Sequence, residues 1–399
     1  MTTRLYYTEP YRRTFSATVT SSTSADGRTI VTLDQTAFYP TSGGQPFDTG
    51  TLGGATVTEV IDRDDGSVEH VVTGALKPGD VVSGEIDWGR RFDHMQQHTG
   101  QHVVSAAFDR LFGVRTESFH MGTLSSTIDL AREVTPAEVA KAEDDANRVV
   151  WEDRPVAIRF ATAEEAASMG MRKESVRTGT LRLIDVTDYD LSACGGTHVA
   201  RTGAIGLIAV LGTERFKGGS RVTFACGFRA LRAFRVLRDA VAASTRVLSV
   251  LPEDLPDALR RLQDDAKEQR KLATALRATL AGYEAEAWLE QAQPLGPFKV
   301  IVRTMAGADV NGLKTMASAL AGTAGTAVVL LTETAPFQVV VARAADVPLD
   351  AGAVLRTLAG QYGGKGGGKP DLAQGGGLTG DVRQVLWTAS GLVEAALGR

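Results

Sequence analysis

The sequence predicts an α+β protein in four parts. A β-barrel over residues 1–90 is followed by an α/β domain over 91–230, a coiled-coil helical segment over 231–293 and a small α/β domain over 294–399. Three observations predict it. Short runs of period-two alternation, separated by turn residues, fill the first ninety positions. A histidine-rich stretch with helical spacing then opens a region of mixed strands and helices. Beyond about residue 231 heptad spacing takes over, and near Pro294 it gives way to apolar strands alternating with helical segments.

In the first part, Arg13–Thr20 and Thr29–Leu33 alternate with the period of a half-buried strand. Turn signals recur at Asp26-Gly27, Asp65-Gly66 and Pro78-Gly79-Asp80. Strands this short with turns this frequent suit a small antiparallel barrel or sandwich. One stretch stands apart: Phe38-Tyr39-Pro40-Thr41-Ser42-Gly43-Gly44-Gln45-Pro46-Phe47-Asp48-Thr49-Gly50. It gathers aromatic, hydroxyl and amide side chains around a Gly-Gly turn, where a ligand can approach the backbone closely. Composition alone fits a plain hairpin loop equally well.

The second part opens on Asp93-His94-Met95-Gln96-Gln97-His98-Thr99-Gly100-Gln101-His102, which holds three of the chain's 6 histidines at four-residue spacing. On a helix, residues four apart share a face, so a His-x-x-x-His pair can aim two imidazoles at one metal ion. His94 and His102 would be roughly 12 Å apart along the axis, too far to share an ion. The pair is therefore His94/His98 or His98/His102. A hydrolytic zinc helix carries a glutamate after its first histidine as general base. Here Met95 and Thr99 stand in those places, which argues against a metalloprotease.

Further ligands must come from elsewhere, and Cys194-Gly195-Gly196-Thr197-His198 offers them. A cysteine and a histidine four apart around a Gly-Gly turn can both point at one ion. With only 2 cysteines in the chain, the coincidence favours a metal site over histidines on a polar face beside a structural turn.

The helix is expected from about Arg91 to Leu111, with Val103, Val104, Ala107, Phe108 and Leu111 as its buried stripe and Gly113 as its C-cap. Gln101, beside His102, is a candidate hydrogen-bonding group of the site. Thr116–Gly122 and Ser126–Leu130 read as strands, and His120 on the first is a further candidate. Thr135-Pro136-Ala137-Glu138 is a capping-box pattern that opens a helix over 135–151. Leu181–Val186 is a strand leading to the Cys194 turn, and Ala204–Leu211 and Ser220–Gly227 are two more. Cys226 alternates with Phe224, as a core thiol would.

In the third part Leu255, Leu259, Leu262, Ala266, Gln269, Ala273, Leu276, Leu280, Tyr283 and Ala287 form a seam with spacings of four and three. A coiled coil or long helical hairpin is expected, and such a seam can pair two chains. Pro294-Leu295-Gly296-Pro297 closes it. The last part carries strands at Lys299–Val302, Ala327–Thr332 and Gln338–Ala342. It also carries the glycine-rich run Gly363–Gly377 with Lys365 and Lys369. That run approaches a phosphate-loop pattern, but Pro370 replaces the hydroxyl residue that would hold magnesium, which disfavours a nucleoside triphosphatase. Its backbone amides and two lysines suit an RNA phosphate backbone.

Hydrophobic residues at 43% and charged residues at 23% are those of an ordinary globular protein. A net charge of −4 excludes a protein that coats nucleic acid over its whole surface and leaves room for local basic patches. No apolar run approaches a membrane span, the N-terminus lacks a signal-peptide core, and two cysteines fit a reducing compartment. A cytoplasmic protein is expected.

Taken together, Ser42-Gly43-Gly44-Gln45 with Asp48-Thr49-Gly50, His98-Thr99-Gly100-Gln101-His102 and Cys194-Gly195-Gly196-Thr197-His198 resemble the alanyl-tRNA editing family in its long form. Its members are free-standing relatives of the editing half of alanyl-tRNA synthetase. The run Gly363–Gly377 is similar to that of the C-terminal domain following the synthetase's editing domain. The resemblance spans nearly the whole chain in the family's order. It implies that the second part is a zinc-containing editing domain with Zn2+ on His98, His102, Cys194 and His198, leaving His94 as a neighbour.

It further implies a hydrolase that deacylates tRNA(Ala) mischarged with serine, and with glycine as well. Gln45, His120 and Gln101 are then the candidate catalytic residues. Thr41, Ser42, Gly43, Gly44 and Gln45 are candidates to bind the terminal adenosine or aminoacyl group, and Lys365 and Lys369 the RNA. No class II aminoacylation core precedes the editing region, so deacylation without charging is expected. The competing expectations are a non-catalytic tRNA-binding protein with a structural zinc, and a deacylase for another aminoacyl-tRNA.

Overall fold

A computed structural model describes residues 1–25, 28–172 and 179–398; the expected turn at Asp26-Gly27 lies outside them. The chain forms two compact units, Met1–Ser244 and Thr245–Arg399. Among the described residues no helix is long and apolar enough to cross a membrane.

The first unit begins with β1 (Thr3–Arg4), β2 (Thr14–Ala25), β3 (Arg28–Leu33), β4 (Gln35–Thr36), β5 (Gly50–Leu52), β6 (Ala55–Asp62), β7 (Val68–Thr73) and β8 (Val81–Ile86). Six of these close into a barrel in the order β2-β3-β7-β6-β5-β8, every pairing antiparallel. Alternate residues such as Val31, Leu33, Leu52 and Val57 point inward and are fully buried, which is why the period-two pattern was strong. A Cβ on Gly84 would lie 2.3 Å from the Phe15 ring, so only glycine lets that ring fill the barrel.

Helix α1 (Trp88–Phe112) leaves the barrel directly. Asp87 caps it by accepting from the Arg90 amide, and Gly113 ends it in a left-handed conformation. It is buried continuously from His94 to Phe108, on polar and apolar faces alike. A helix with that much buried polarity must find partners for its side chains. Gln96 donates to the Ala204 carbonyl, while Gln97 bonds both the amide and the carbonyl of Cys226.

Around α1 stand β9 (Thr116–Met121), β10 (Ser126–Leu130), α2 (Pro136–Trp151), β11 (Val156–Thr162), α3 (Ala163–Ser168), β12 (Thr180–Val186), β13 (Asp190–Ala193), β14 (Ile208–Phe216), β15 (Gly219–Cys226) and α4 (Phe228–Leu248). They supply one sheet ordered β14-β15-β10-β9 and a second ordered β11-β12-β13. The capping box forms between Thr135 and Glu138 as the sequence indicates. The expected strand Ala204–Leu211 is a correction. Its first residues lie in a 3-10 turn over Thr202–Ile205, and Gly206, with φ 85°, breaks the extended path before β14.

The second unit comprises α5 (Leu255–Glu290), β16 (Gln293–Leu295), β17 (Phe298–Met305), α6 (Val310–Ala321), β18 (Thr326–Thr332), β19 (Phe337–Arg343), α7 (Ala351–Tyr362), β20 (Lys365–Gly368), β21 (Leu372–Leu378) and α8 (Val382–Ala396). One sheet ordered β16-β17-β18-β19-β21-β20 is covered on both faces. Val328, Leu330 and Val340 pack with α5 and α6, while Val329, Leu331 and Val339 pack with α7 and α8. This is the small α/β domain anticipated.

Within the unit the heptad positions of α5 are largely uncovered, Leu276 being 60% and Tyr283 71% exposed, and the packed face is Ala281 and Ala285 against α6. The glycine-rich run is not a loop but the hairpin β20–β21. A Cβ on Gly366 would lie 2.5 Å from the Gly375 Cα, so the glycines permit a very close approach of the two strands.

Candidate metal centre

His98 and His102 lie one turn apart on α1, and the turn after β13 brings Cys194 and His198 against them. The four ligand atoms all lie within 4.8 Å of one another. His98 Nε2 and His198 Nε2 are each 3.3 Å from Cys194 Sγ. Three features shape the turn. The Gly196 amide donates to Cys194 Sγ at 3.3 Å, and Arg182 donates to the Cys194 carbonyl at 2.6 Å. Gly196 also lies flat on the His98 ring, where a Cβ would sit 2.1 Å from Cε1.

Each imidazole is fixed through its other nitrogen by a different partner. Gln45 Nε2 donates to Thr197 Oγ1, so its Oε1 is free to accept from the Thr197 amide and from His98 Nδ1 at 2.8 Å. His102 Nδ1 donates to Asp190 at 3.0 Å, and Asp190 is itself held by Arg172 and Ser192. Thr99 gives its single proton to the Met95 carbonyl, so its oxygen accepts from the Val199 amide and from His198 Nδ1 at 3.2 Å. All three histidines thereby turn Nε2 toward the sulfur, as outer partners of metal-bound histidines do.

The electrostatics agree with a cation at this point. Burial alone would raise the Cys194 thiol, but the facing imidazoles of His98 and His198 bring it well below its usual value. Burial alone would lower His102, but the Asp190 carboxylate raises it to about 9. Burial holds His198 down at about 3. Three imidazoles and a thiolate converging on one point fit a tetrahedral ion that prefers nitrogen and sulfur.

The other sequence candidates divide. Ser42 to Gln45 form a two-residue turn in which Gly43 and Gly44 have φ of 55° and 82°, values that favour glycine. The turn docks on β9: Met121 N donates to the Gly44 carbonyl, and a Cβ on Gly44 would lie 2.9 Å from Phe119. Phe119 in turn lies against the His98 ring, with centroids 5.4 Å apart. Thr41 and Gly43 are exposed beside it, and Ser42 is half-buried.

Gln45 is fully buried, with its amide bonded to Thr197 and to His98 Nδ1, which places it behind the His98 ring. His120 is exposed on β9, and strand alternation turns it away from the face on which Phe119 meets His98. Gln101 is buried and spends its amide on Ser105, which places it beside the cluster without a contact to it. Lys365 and Lys369, both exposed, lie in the second unit.

Sequence reasoning missed Asp190, Thr99 and Thr197. Their one local signal was position, since each lies within four residues of a proposed ligand.

Comparison with known proteins follows this geometry. Residues 10–90, which form the barrel, match the family described as tRNA synthetases class II (A). Residues 181–223, which carry Cys194 and His198, match the threonyl and alanyl tRNA synthetase second additional domain. Residues 298–395 match the DHHA1 domain.

Alanine–tRNA ligases from Methanoregula boonei, Natronomonas pharaonis and Pyrococcus furiosus are 36%, 38% and 34% identical to it over 389, 394 and 398 residues. In each case 94% of this chain is covered and 42% of the relative, so the chain spans about two fifths of their length. Among solved structures, the C-Ala domain of alanyl-tRNA synthetase from Aquifex aeolicus matches at 23% identity and a TM-score of 0.25, covering 27% of this chain and 98% of that one. Over nearly its whole length the chain is related to alanine–tRNA ligases, and it carries the threonyl and alanyl tRNA synthetase second additional domain and the DHHA1 domain in that order.

Proposed function

We propose that the chain is a zinc-dependent deacylase acting in trans on mischarged tRNA(Ala), removing serine chiefly and glycine as well. The observation that carries this reading is the cluster of three histidines and a cysteine, each histidine held by its own partner, in a chain of this family. Zinc held by His98, His102, Cys194 and His198 would supply Lewis-acid polarisation and orientation of the ester. The protein's part is positioning. An aminoacyl ester is already activated, so holding it beside a water in a fixed geometry suffices without a covalent nucleophile. Polar groups that pair with the serine hydroxyl would be left unpaired by alanine, which rejects the correct product.

The test is hydrolysis of Ser-tRNA(Ala), Gly-tRNA(Ala) and Ala-tRNA(Ala) by the zinc-loaded chain, before and after chelation. Loss of serine from the first, with Ala-tRNA(Ala) left intact, supports the reading. Binding of all three with hydrolysis of none favours a tRNA-binding protein with structural zinc, to which a closed set of four protein donors is also suited.

Gln45→Ala is expected to weaken zinc binding by roughly 10- to 100-fold, because it releases the His98 ring from its orientation. Competition with a chromogenic chelator measures this. Unchanged affinity with reduced deacylation would return Gln45 to a role in substrate binding.

For the second unit, Lys365 and Lys369 are exposed along the β20–β21 hairpin without an ion-pair partner among the described residues, and we assign them to tRNA phosphates. The double change Lys365→Ala/Lys369→Ala should flatten the salt dependence of tRNA binding by roughly two in log–log slope. Zinc content and folding should be unaltered. A slope equal to that of the unchanged chain removes both lysines from the interface.

A further inference from the structure

His94 is 3% exposed, yet neither ring nitrogen makes a hydrogen bond to any described residue, and its Nδ1 is wholly enclosed. A buried polar group without a partner is unfavourable, and native proteins satisfy nearly all of theirs. The contrast within this chain is direct. His70, also buried, bonds Thr36 through Nε2 inside the barrel, and the three histidines of the cluster are each fixed by a named partner. His70 Nδ1 is likewise unpartnered, but among the described buried histidines only His94 lacks a hydrogen bond at both nitrogens, and it stands one helical turn before His98 on the same face of α1.

Its surroundings define what it would take. After burial itself, the charges that act on it most are those of Arg90, Arg229, Arg91 and His98. Arg91 is neutralised by Asp48 and Arg229 by Asp93, while Arg90 donates to the Phe47 carbonyl and has no carboxylate partner among the described residues. Burial, reinforced by Arg90, holds the imidazole down at about 3, so it stays neutral with one N–H to give. A neutral imidazole among cations suits an electron-rich oxygen and repels an ammonium. Neutral histidine acting as a hydrogen-bond donor to a substrate oxygen is an established use of such an environment.

We propose that His94 is a substrate-binding residue that donates a hydrogen bond through Nε2, the ring nitrogen that is not enclosed, to an oxygen of the ester end of the aminoacyl nucleotide, at its acyl carbonyl or ribose. The inference rests on the deacylase reading above. It differs from any role as zinc ligand, for which His94 is a turn too far from the Cys194 side of the cluster, and from general-base catalysis, for which a nitrogen so weakly basic is unsuited.

The experiment uses the zinc-loaded chain, its His94→Leu and His94→Gln variants, and the non-hydrolysable amide 3′-deoxy-3′-serylamino-adenosine as probe. Calorimetric titration should show the leucine variant binding the probe roughly five- to tenfold more weakly. Glutamine, which retains an N–H donor, should recover part of the difference. Zinc stoichiometry should be equal in all three, and the melting temperature of the leucine variant equal to or above that of the unchanged chain, as expected when an unpaired buried group is removed.

Equal probe affinity in the unchanged chain and the leucine variant overturns the inference and leaves the deacylase reading standing, as does a fall in melting temperature with affinity retained. A chain that neither binds the probe nor cleaves any aminoacyl-tRNA overturns both.

Discussion

Cys194→Ala is expected to release zinc and to reduce deacylation by at least two orders of magnitude, and His98→Ala to behave alike. The sulfur is the point on which the imidazoles of His98 and His198 converge, each 3.3 Å from it. It is also the cluster's acidic member, held well below its usual value by those rings after burial has opposed it. Removing it leaves three neutral or cationic nitrogens around a divalent ion and abolishes the charge compensation of the site. Structural zinc sites of this kind contribute about 10–16 kcal/mol of apparent binding free energy, so the loss of one anionic ligand changes occupancy at micromolar metal.

Cys226→Ala is the control. That thiol is buried, raised by its burial, and packed against Gly100, and only its backbone is bonded by Gln97. Metal analysis after gel filtration should find about one zinc in the Cys226 variant and almost none in the other two. Full zinc in both the Cys194 and His98 variants would remove these residues from the site.

The four members of the cluster were legible because their spacing is a local property. His98/His102 and Cys194/His198 are each four apart, and two rare pairs together argue for one ion. What spacing left undecided was which histidine pair belonged to it, since His94/His98 has the same geometry. The tertiary structure separates them by where the turn after β13 arrives.

The partners of the imidazoles were illegible for the opposite reason. Gln45 reaches His98 across 53 residues of sequence and Asp190 reaches His102 across 88, and no local pattern encodes such a meeting. The barrel was readable because its inward face alternates over most of β8 and the first half of β6, with bulges interrupting the period in β2 and β6. The heptad seam records which face of α5 is apolar, not what covers it, and within the unit that face is largely exposed. The glycine-rich run misled because glycine reads as loop, whereas here it allows two strands to pack backbone to backbone.

Asp48→Ala is expected to destabilise the first unit by about 3–5 kcal/mol, the range for removing one partner of a buried ion pair. Arg91 and Asp48 are both fully buried. Arg91 Nε and Nη2 bond the carboxylate at 2.5–3.1 Å, and the remaining donors reach the Pro10 and Ala37 carbonyls. Asp48 accepts in addition from the Tyr39 amide at 2.7 Å. Without the carboxylate, a guanidinium would stay enclosed with no counter-charge, and an amide would lose its acceptor.

Against a typical total stability of about 5–15 kcal/mol this is a large fraction, and for a unit of this size it corresponds to a fall of roughly 10 °C in melting temperature. The effect should reach the metal. Arg91 stands on α1 two turns before His98 and ties that helix to Ala37 and Asp48, so loosening it frees both the helix that carries His98 and the loop between β4 and β5 that carries Gln45. Zinc affinity should therefore fall with stability. The paired change Asp48→Leu/Arg91→Met, which removes both charges, should be the milder of the two because no charge is left unpaired. Urea unfolding of the three proteins tests this order. A single variant as stable as the unchanged chain, or a double variant less stable than the single one, would show that the pair does not anchor α1 to the barrel.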